Sequence, residues 1–450
     1  MTDNSTFNFN AGSHSFYGMM KITVISGTPT VLGAILSPEF SDIFFAPIYT
    51  LPIMFECETS FTLRIKPIPN TNITFEEFKY YLPKDTPEGF NKLSTGVFHS
   101  PLIKGASTPI PVQKYVDRLA SNDQPTSIFI CGGKSTGKST FSRFVSNRII
   151  NQQKKVAFLD LDPGQPEFSI PGCISLTILD DFCFKTPEHN TLNHVQKRVF
   201  FGCVSPSDNL DYFKACVSYL YSQVPDNMHL VINSFGWVQD LGFSIHKEIY
   251  QILKPKQTFV IHKPDETPAQ ICDRIFRYEL QPRGGQYSIS SKLHRELRIY
   301  TYFRRNQNYL SLQEPIQKPL SSIRIGFLAS SVAPSECLTA INGSLVAFLN
   351  DERQFPRSRR LVQLIREVPV CECVGFGIVK AIDKENSMLY IATPEKVAEF
   401  NTIVMGPIHL PSQIFTDTIR SNASYLGIGL LEKVGASTEP LVLKKSTAFD

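Results

Sequence analysis

The sequence predicts an α/β protein: a central phosphate-loop domain with a mostly parallel sheet at residues 111–315, between β-rich domains at 1–110 and 316–450. Three observations predict it. An apolar run, Ser127-Ile128-Phe129-Ile130-Cys131, leads into the loop Gly132-Gly133-Lys134-Ser135-Thr136-Gly137-Lys138-Ser139-Thr140, and a helical pattern follows with Phe141, Phe144, Val145 and Ile149 on one face. Further strand-like runs then alternate with helical ones, the arrangement that produces βαβ units. On both sides of this region the helical rhythm is absent, and short runs are punctuated by glycine and proline.

In the first part, residues 17–36 alternate apolar and polar, with hairpin chemistry at Gly18, at Gly27-Thr28-Pro29 and at Gly33. Runs at 43–46 and 61–65 add strands to a small sandwich or barrel, and residues 80–110, rich in proline, glycine and serine, read as the way out. In the central part, helices are expected at 113–120, 211–221 and 243–253, the last stopped by Lys254-Pro255. Strands are expected at 155–161, 229–234 and 258–261. After about residue 315 the pattern predicts strands at 321–328, 345–349, 371–382 and 388–393.

The bulk numbers bound the class. A chain of 450 residues has room for two or three cores. Its 42% hydrophobic and 19% charged content is that of a soluble globular protein, and a net charge of +4 permits an anionic partner without demanding one. Ten cysteines are scattered with no Cys-x-x-Cys pair, which suits a reducing compartment, and the nine histidines show no ligand spacing. Residues 1–10 carry no apolar signal core. The longest apolar run, 43–55, is broken by Pro47 and Pro52 and is too short to span a bilayer. A soluble intracellular protein with no membrane partner is expected.

The candidate chemistry lies at the carboxyl ends of the central strands, where such sheets bind ligands. Glycines let backbone N–H groups close around phosphates, and the helix N-terminus adds positive partial charge. Lys138 would reach the β- and γ-phosphates and the Ser139 hydroxyl would ligate Mg²⁺, so a nucleoside triphosphate such as ATP is the expected ligand. The bland alternative is a glycine-rich turn capping an ordinary helix.

Asp160-Leu161-Asp162-Pro163-Gly164-Gln165 closes the next strand, and strand alternation would put Asp160 and Asp162 on one face. Asp160 is assigned to the metal and Asp162 as base for an attacking hydroxyl, the two roles being exchangeable. Gln165 is assigned to the substrate. Alternatively, one aspartate merely caps the Asp-Pro-Gly turn. Ser234-Phe235-Gly236-Trp237 follows another buried strand: Ser234 would hydrogen-bond a phosphate or hold the base, and Trp237 would stack on a nucleobase or pack in the core. Arg295 and Arg298 share a helix face, either as a lid over the phosphates or as a solvated basic face. Arg353, Arg357, Arg359 and Arg360 around Phe355 suit single-stranded nucleic acid, a solvated loop or a nuclear-import patch.

Together these segments resemble one family. The loop Gly132 to Thr140 and the extension Asp160-Leu161-Asp162-Pro163-Gly164-Gln165-Pro166-Glu167-Phe168 are similar to the polynucleotide 5′-hydroxyl kinases, in the nucleolar branch that processes pre-ribosomal RNA. Gly202-Cys203-Val204-Ser205-Pro206, Ser234 to Trp237, residues 297–303, Gly375 to Asp383 and Gly406 to Pro411 match as well. The resemblance implies a central P-loop kinase domain between two β-rich domains. It also implies ATP-dependent phosphorylation of a 5′-hydroxyl end of RNA, often of DNA, with Mg²⁺. By the same resemblance Ser234 to Trp237 is the clasp segment, with serine where threonine is usual, and Arg295 with Arg298 is the arginine lid. An endoribonuclease partner and a nucleolar location follow from it too. The tail after about Tyr425 does not match that branch.

Two other functions fit parts of the pattern. In a P-loop GTPase, His262-Lys263-Pro264-Asp265 would imitate the guanine-reading Asn-Lys-x-Asp, but the asparagine is absent. A non-catalytic scaffold would keep ATP as a structural ligand, although this chain retains every chemical group.

Overall fold

The structure, a computed structural model, describes residues 5–46, 52–68, 98–100, 108–184, 186–187, 195–264, 266–272, 275–279, 289–303, 314–329, 331–354, 362–397, 399–411 and 414. Its contacts divide the chain into two compact units. The first comprises Met1–Leu161, Leu176–Val195 and Val224–His294, and the second Asp162–Ser175, Gln196–Gln223 and Arg295–Asp450.

In the first unit an eight-stranded sheet is built around one long strand, Gly12–Ser26, which pairs with Ser41–Ala46, Ile53–Cys57, Phe61–Pro67 and Phe98–Ser100. The hairpin expected at Gly18 is absent. Gly18 keeps a positive φ of 112° inside the strand, and the register slips only between Val24 and Ser26. The inner face packs Phe16, Phe44, Phe55 and Phe61 with Ile22 and Leu63, all at most 1% exposed. Thr30–Val31 and Ala34–Ile35 form a hairpin through Leu32 and Gly33, which carry φ of 45° and 80°, the mirror-image turn that suits a twisted pair. Of the exit segment expected at 80–110, only 98–100 and 108–110 are described.

The same unit holds the parallel sheet. Its strands lie side by side in the order Val156–Asp160, His229–Asn233, Ser127–Gly132, Gln257–His262, Phe276–Glu279, and each neighbouring pair is parallel. Four of these are within a residue or two of the expected strands; Phe276–Glu279 was not legible. The strands read as apolar runs because both faces are covered: every residue of Val156–Asp160 and of His229–Asn233 is buried. Helices Ile110–Ser121, Lys138–Ile150 and Asp240–Leu253 form where the periodicity predicts. The last ends on Lys254 in a left-handed conformation, φ 41°, just before Pro255. The hairpin of the N-terminal sheet sits on the far end of the loop helix. Asn151 donates to the Gly33 carbonyl at 2.8 Å and accepts from the Ile35 N–H at 3.0 Å, while Asn147 donates to the Leu32 carbonyl at 2.9 Å.

The second unit carries a seven-stranded sheet in the order Ile316–Pro319, Met388–Ala392, Cys373–Asp383, Leu345–Leu349, Thr402–Met405, Arg324–Phe327, Gln363–Leu364. Its last two pairings are parallel. Here the strand expected from 321 begins only at Arg324, after a 3₁₀ turn at Leu320–Ser322. Val346, Phe348, Val379, Leu389 and Ile391 fill its core with no exposure. Helix Leu210–Tyr221 belongs to this unit. Buried among its segments, the Arg198 guanidinium makes a two-pronged ion pair with Glu395 at 2.7 and 3.3 Å and donates to the Cys373 carbonyl at 2.9 Å. None of the ten cysteines is in a disulfide.

Two glycine-bearing motifs find their reason in this unit. A Cβ on Gly406 would lie 2.2 Å from the Gly202 carbonyl oxygen, so the two backbones touch where no side chain fits. Gly202 also has φ 81° and donates to the Gly172 carbonyl at 2.9 Å. Among the described residues no helix is long and apolar enough to cross a membrane.

Candidate phosphate-loop site

The loop is built as the strand–loop–helix reading requires. Strand Ser127–Gly132 ends at Gly132, whose φ is 154° and whose Cβ would lie 2.1 Å from the Ile261 carbonyl oxygen. Gly137, at φ 82°, turns the chain into helix Lys138–Ile150. Between them, Thr136 is fully buried and its hydroxyl donates to the Gly133 carbonyl at 2.9 Å. Lys138 is 7% exposed, and its ammonium folds back over the loop to the same carbonyl at 2.8 Å. Lys134 and Ser135 are exposed at the rim, while Ser139 and Thr140 open the helix half-buried.

Beside the loop, Asp160 and Asn233 end adjacent parallel strands directly opposite each other, both fully buried. The Asn233 amide donates to Asp160 Oδ1 at 3.0 Å and to Ser139 Oγ at 3.4 Å, and its oxygen accepts from Ser142 at 3.2 Å. The hydroxyl and the carboxylate assigned to the metal are thus joined by one amide. That donor set, an alcohol and a carboxylate oxygen, fits Mg²⁺, a hard cation that takes few protein ligands and completes its shell with water and substrate phosphates. Among the described residues no group of three or more His, Cys, Asp or Glu is placed to hold a metal. Asn233 was not singled out in the sequence; a lone asparagine at a strand end gives no periodic signal.

The segment Ser234 to Trp237 runs against the loop. A Cβ on Gly236 would stand 3.2 Å from both the Lys138 ammonium and the Lys134 Cα. Ser234 is 1% exposed and lies 3.2 Å from Nε2 of the fully buried His246. The other ring nitrogen faces the Gly242 carbonyl at 2.8 Å, which only accepts, so Nδ1 carries the hydrogen and Nε2 accepts from the Ser234 hydroxyl. Burial pushes the His246 pKa down to about 4, which keeps this neutral form. His246 is a second residue that sequence spacing did not reveal. Trp237 is 36% exposed, so it is not a core residue, and its ring packs on Gly242.

In the second unit the Asp162 carboxylate accepts from the N–H groups of Gly164 and Gln165, both at 3.0 Å. The strand ends at Asp160, so the alternation expected to align Asp162 with it does not extend that far. Asp162 sits in the turn instead, and the turn-capping reading describes its backbone contacts. Gln165 is exposed. The two arginines lie in helix Ser291–Phe303 but differ in kind. Arg298 is 6% exposed and its guanidinium donates to the Ser169 carbonyl at 2.7 Å. Arg295 is half-buried; burial lowers its pKa, while Glu296 and Asp162 act in the opposite direction, so Asp162 lies within electrostatic reach of it. Of the basic patch expected around Phe355, Arg353 is described and held by Asp351 at 2.7 Å, and Arg357, Arg359 and Arg360 lie outside the described residues.

A parallel sheet, a glycine loop under a buried lysine, and a carboxylate–amide–hydroxyl cluster define a P-loop nucleotide-binding protein. Residues 132–305 match the family model of the mRNA cleavage and polyadenylation factor CLP1 P-loop, and residues 311–411 that of the NOL9-like C-terminal domain. The chain is 28% identical over 346 residues to the human polynucleotide 5′-hydroxyl-kinase NOL9, covering 63% of this chain and 49% of that protein. To the Arabidopsis thaliana protein of the same name it is 29% identical over 345 residues, 65% of this chain and 88% of that one. To Gibberella zeae polynucleotide 5′-hydroxyl-kinase GRC3 it is 24% identical over 339 residues, 70% and 46% of the two chains. The chain spans about half the length of the human and bovine relatives, 49% and 55%. In fold it is similar to Clp1p from a Clp1p–Pcf11p complex, with TM-score 0.59, 16% identity, and 91% and 99% of the two chains covered. The chain is thus similar to the polynucleotide 5′-hydroxyl kinases named NOL9 and GRC3, and residues 132–305 match a CLP1 P-loop.

Proposed function

We propose that the protein is an ATP-dependent polynucleotide 5′-hydroxyl kinase that phosphorylates the 5′ end of RNA in pre-ribosomal spacer processing. The observation that carries the reading is the Ser139–Asn233–Asp160 cluster under the glycine loop, with the clasp backbone at Gly236 against Lys138. Phosphoryl transfer needs positioning and charge stabilisation more than covalent chemistry, and these groups supply both. Lys138 and the loop amides hold the β- and γ-phosphates. Ser139 and Asp160 hold Mg²⁺, which when bound neutralises charge on the phosphate oxygens.

The 5′-hydroxyl oxygen forms a bond to the γ-phosphorus as the bond to the β-phosphate oxygen breaks, and ADP leaves. Asp162 accepts the hydroxyl proton, and Arg295 is the lid cation. Arg298 is proposed as its support, given its hold on Ser169. Trp237 offers an exposed ring for a nucleobase, and Ser234 and Gln165 are further proposed substrate contacts. The division at 111–315 is kept as the kinase domain, a reading supported by family matches that change over between 305 and 311. The names of the relatives support a nucleolar location, and the resemblance supports an endoribonuclease partner.

Purified protein incubated with γ-labelled ATP should label 5′-hydroxyl RNA, with 5′-hydroxyl DNA as a parallel acceptor, and release little phosphate to water alone. Label transfer to no polynucleotide, or a strong preference for GTP, would set the kinase reading aside.

A further inference from the structure

The outer face of the N-terminal sheet carries three cations that have no partner among the described residues. Lys21 on Gly12–Ser26 stands directly opposite Lys66 on Phe61–Pro67, and Arg64, two residues along, stands opposite Thr23. Their strand neighbours Ile22, Leu63 and Ile65 are buried, at most 1% exposed, so Lys21, Arg64 and Lys66 all point to the solvent side. Among the described residues none of the three makes an ion pair, a side-chain hydrogen bond or a ring contact. Elsewhere in this unit surface cations do find carboxylates: Arg148 with Asp117, Lys155 with Asp180, Lys263 with Glu266.

Like charges directly opposite across a sheet are destabilising, and these two side chains are rooted only about 5 Å apart. Arg64 extends the row by about 7 Å along the strand. Beside it runs a line of hydroxyls and an amide: Thr23 with Ser41 at 2.9 Å, Ser26 with Thr62 at 2.9 Å, and Thr62 with Asn8 at 2.8 Å. Ile43, 39% exposed, stands opposite Lys21 and adds an apolar contact.

We propose that this face is a second nucleic-acid contact, one that holds the phosphate backbone of single-stranded RNA away from the reacting end. It rests on the reading of the substrate as a polynucleotide. Cations here, hydroxyls beside them and, among the described residues, no aromatic platform fit backbone contact that is indifferent to sequence, in contrast to the stacking that Trp237 offers. Such a surface adds affinity for long chains and leaves a short acceptor unaffected.

The test uses the full chain carrying Lys21→Ser, Arg64→Ser and Lys66→Ser together. Binding to a long 5′-phosphorylated single-stranded RNA, which needs no transfer, is measured against salt. Each lost phosphate contact lowers the log–log salt slope by about 0.7, so three should lower it by about 2 and weaken binding at least ~10-fold at low salt. Phosphorylation of a 5′-hydroxyl trinucleotide should be unchanged, as should the melting temperature. Equal RNA affinity and slope in variant and wild type would overturn the proposal. So would a loss confined to polyglutamate, which would assign the face to an acidic protein segment. Failure of the kinase reading would appear separately, as no transfer to any acceptor by the wild-type protein.

Discussion

Asn233 and Asp160 end neighbouring parallel strands in register, and the Asn233 amide donates to the Asp160 carboxylate at 3.0 Å while reaching Ser139 at 3.4 Å. One side chain therefore fixes both groups assigned to the metal. Asn233→Ala should lower turnover on 5′-hydroxyl RNA by about 10- to 100-fold, the usual range for a residue that orients metal ligands. The Mg²⁺ concentration for half-maximal activity should rise with it. A variant with wild-type turnover and Mg²⁺ dependence would make the amide purely structural.

Lys138 lies over the loop with its ammonium on the Gly133 carbonyl. Lys138→Ala should reduce transfer by at least ~10²-fold, as losing one donor to developing charge does elsewhere, without changing the far-ultraviolet circular dichroism. Retained transfer would remove the lysine from the site.

Arg295 and Arg298 should separate. Arg298→Ala removes a buried cation from the Ser169 carbonyl and should cost about 1–3 kcal/mol, seen as a lower urea midpoint. Arg295→Ala should leave that midpoint alone and lower kcat by ~10³-fold or more, the range for an arginine that stabilises transferring phosphate. A defect only in RNA affinity would make Arg295 a binding residue.

His246 is held neutral in the fold, with its pKa pushed down by burial from 6.5 to about 4. Between those values the unfolded chain binds the proton and the folded one does not. The stability it permits is complete above pH 6.5 and falls as pH drops toward 4, by up to about 3 kcal/mol. Melts of wild type and His246→Asn from pH 7 to 4.5 should converge at low pH. Parallel curves would exclude His246 as the source of the slope.

Gly406→Ala places a methyl 2.2 Å from the Gly202 carbonyl oxygen and should cost about 1–3 kcal/mol or more in stability. An unchanged melting temperature would show that the two backbones separate freely.

The phosphate loop and its flanking strands were legible because buried parallel strands announce themselves as apolar runs and the glycines have fixed spacing. Other features were not legible, each for a physical reason. Val195–Phe200 contains Lys197 and Arg198 and does not read as a strand; the ion pair to Glu395 and the bond to the Cys373 carbonyl, both distant in sequence, make the buried arginine tolerable. Cys173–Leu179 hides Ser175 and Thr177, both fully buried polar residues that break the apolar run. Gly18 looked like a turn because a glycine's positive φ serves a strand interior as well as a hairpin. Asp162 was aligned with Asp160 by an alternation that stops where the strand does. Asn233 and His246 act through particular side-chain hydrogen bonds, which no periodicity encodes.

The two asparagines that fasten Leu32, Gly33 and Ile35 to the end of the loop helix have a consequence for any shortened form of the chain. A version beginning at the helix Ile110–Ser121 would strip Asn147 of the Leu32 carbonyl and Asn151 of the Gly33 carbonyl, and bare the Phe144 ring that Gly33 covers. The helix whose start cradles phosphate would then be loose at its finish. The front sheet is thus part of the engine's mounting rather than a detachable accessory.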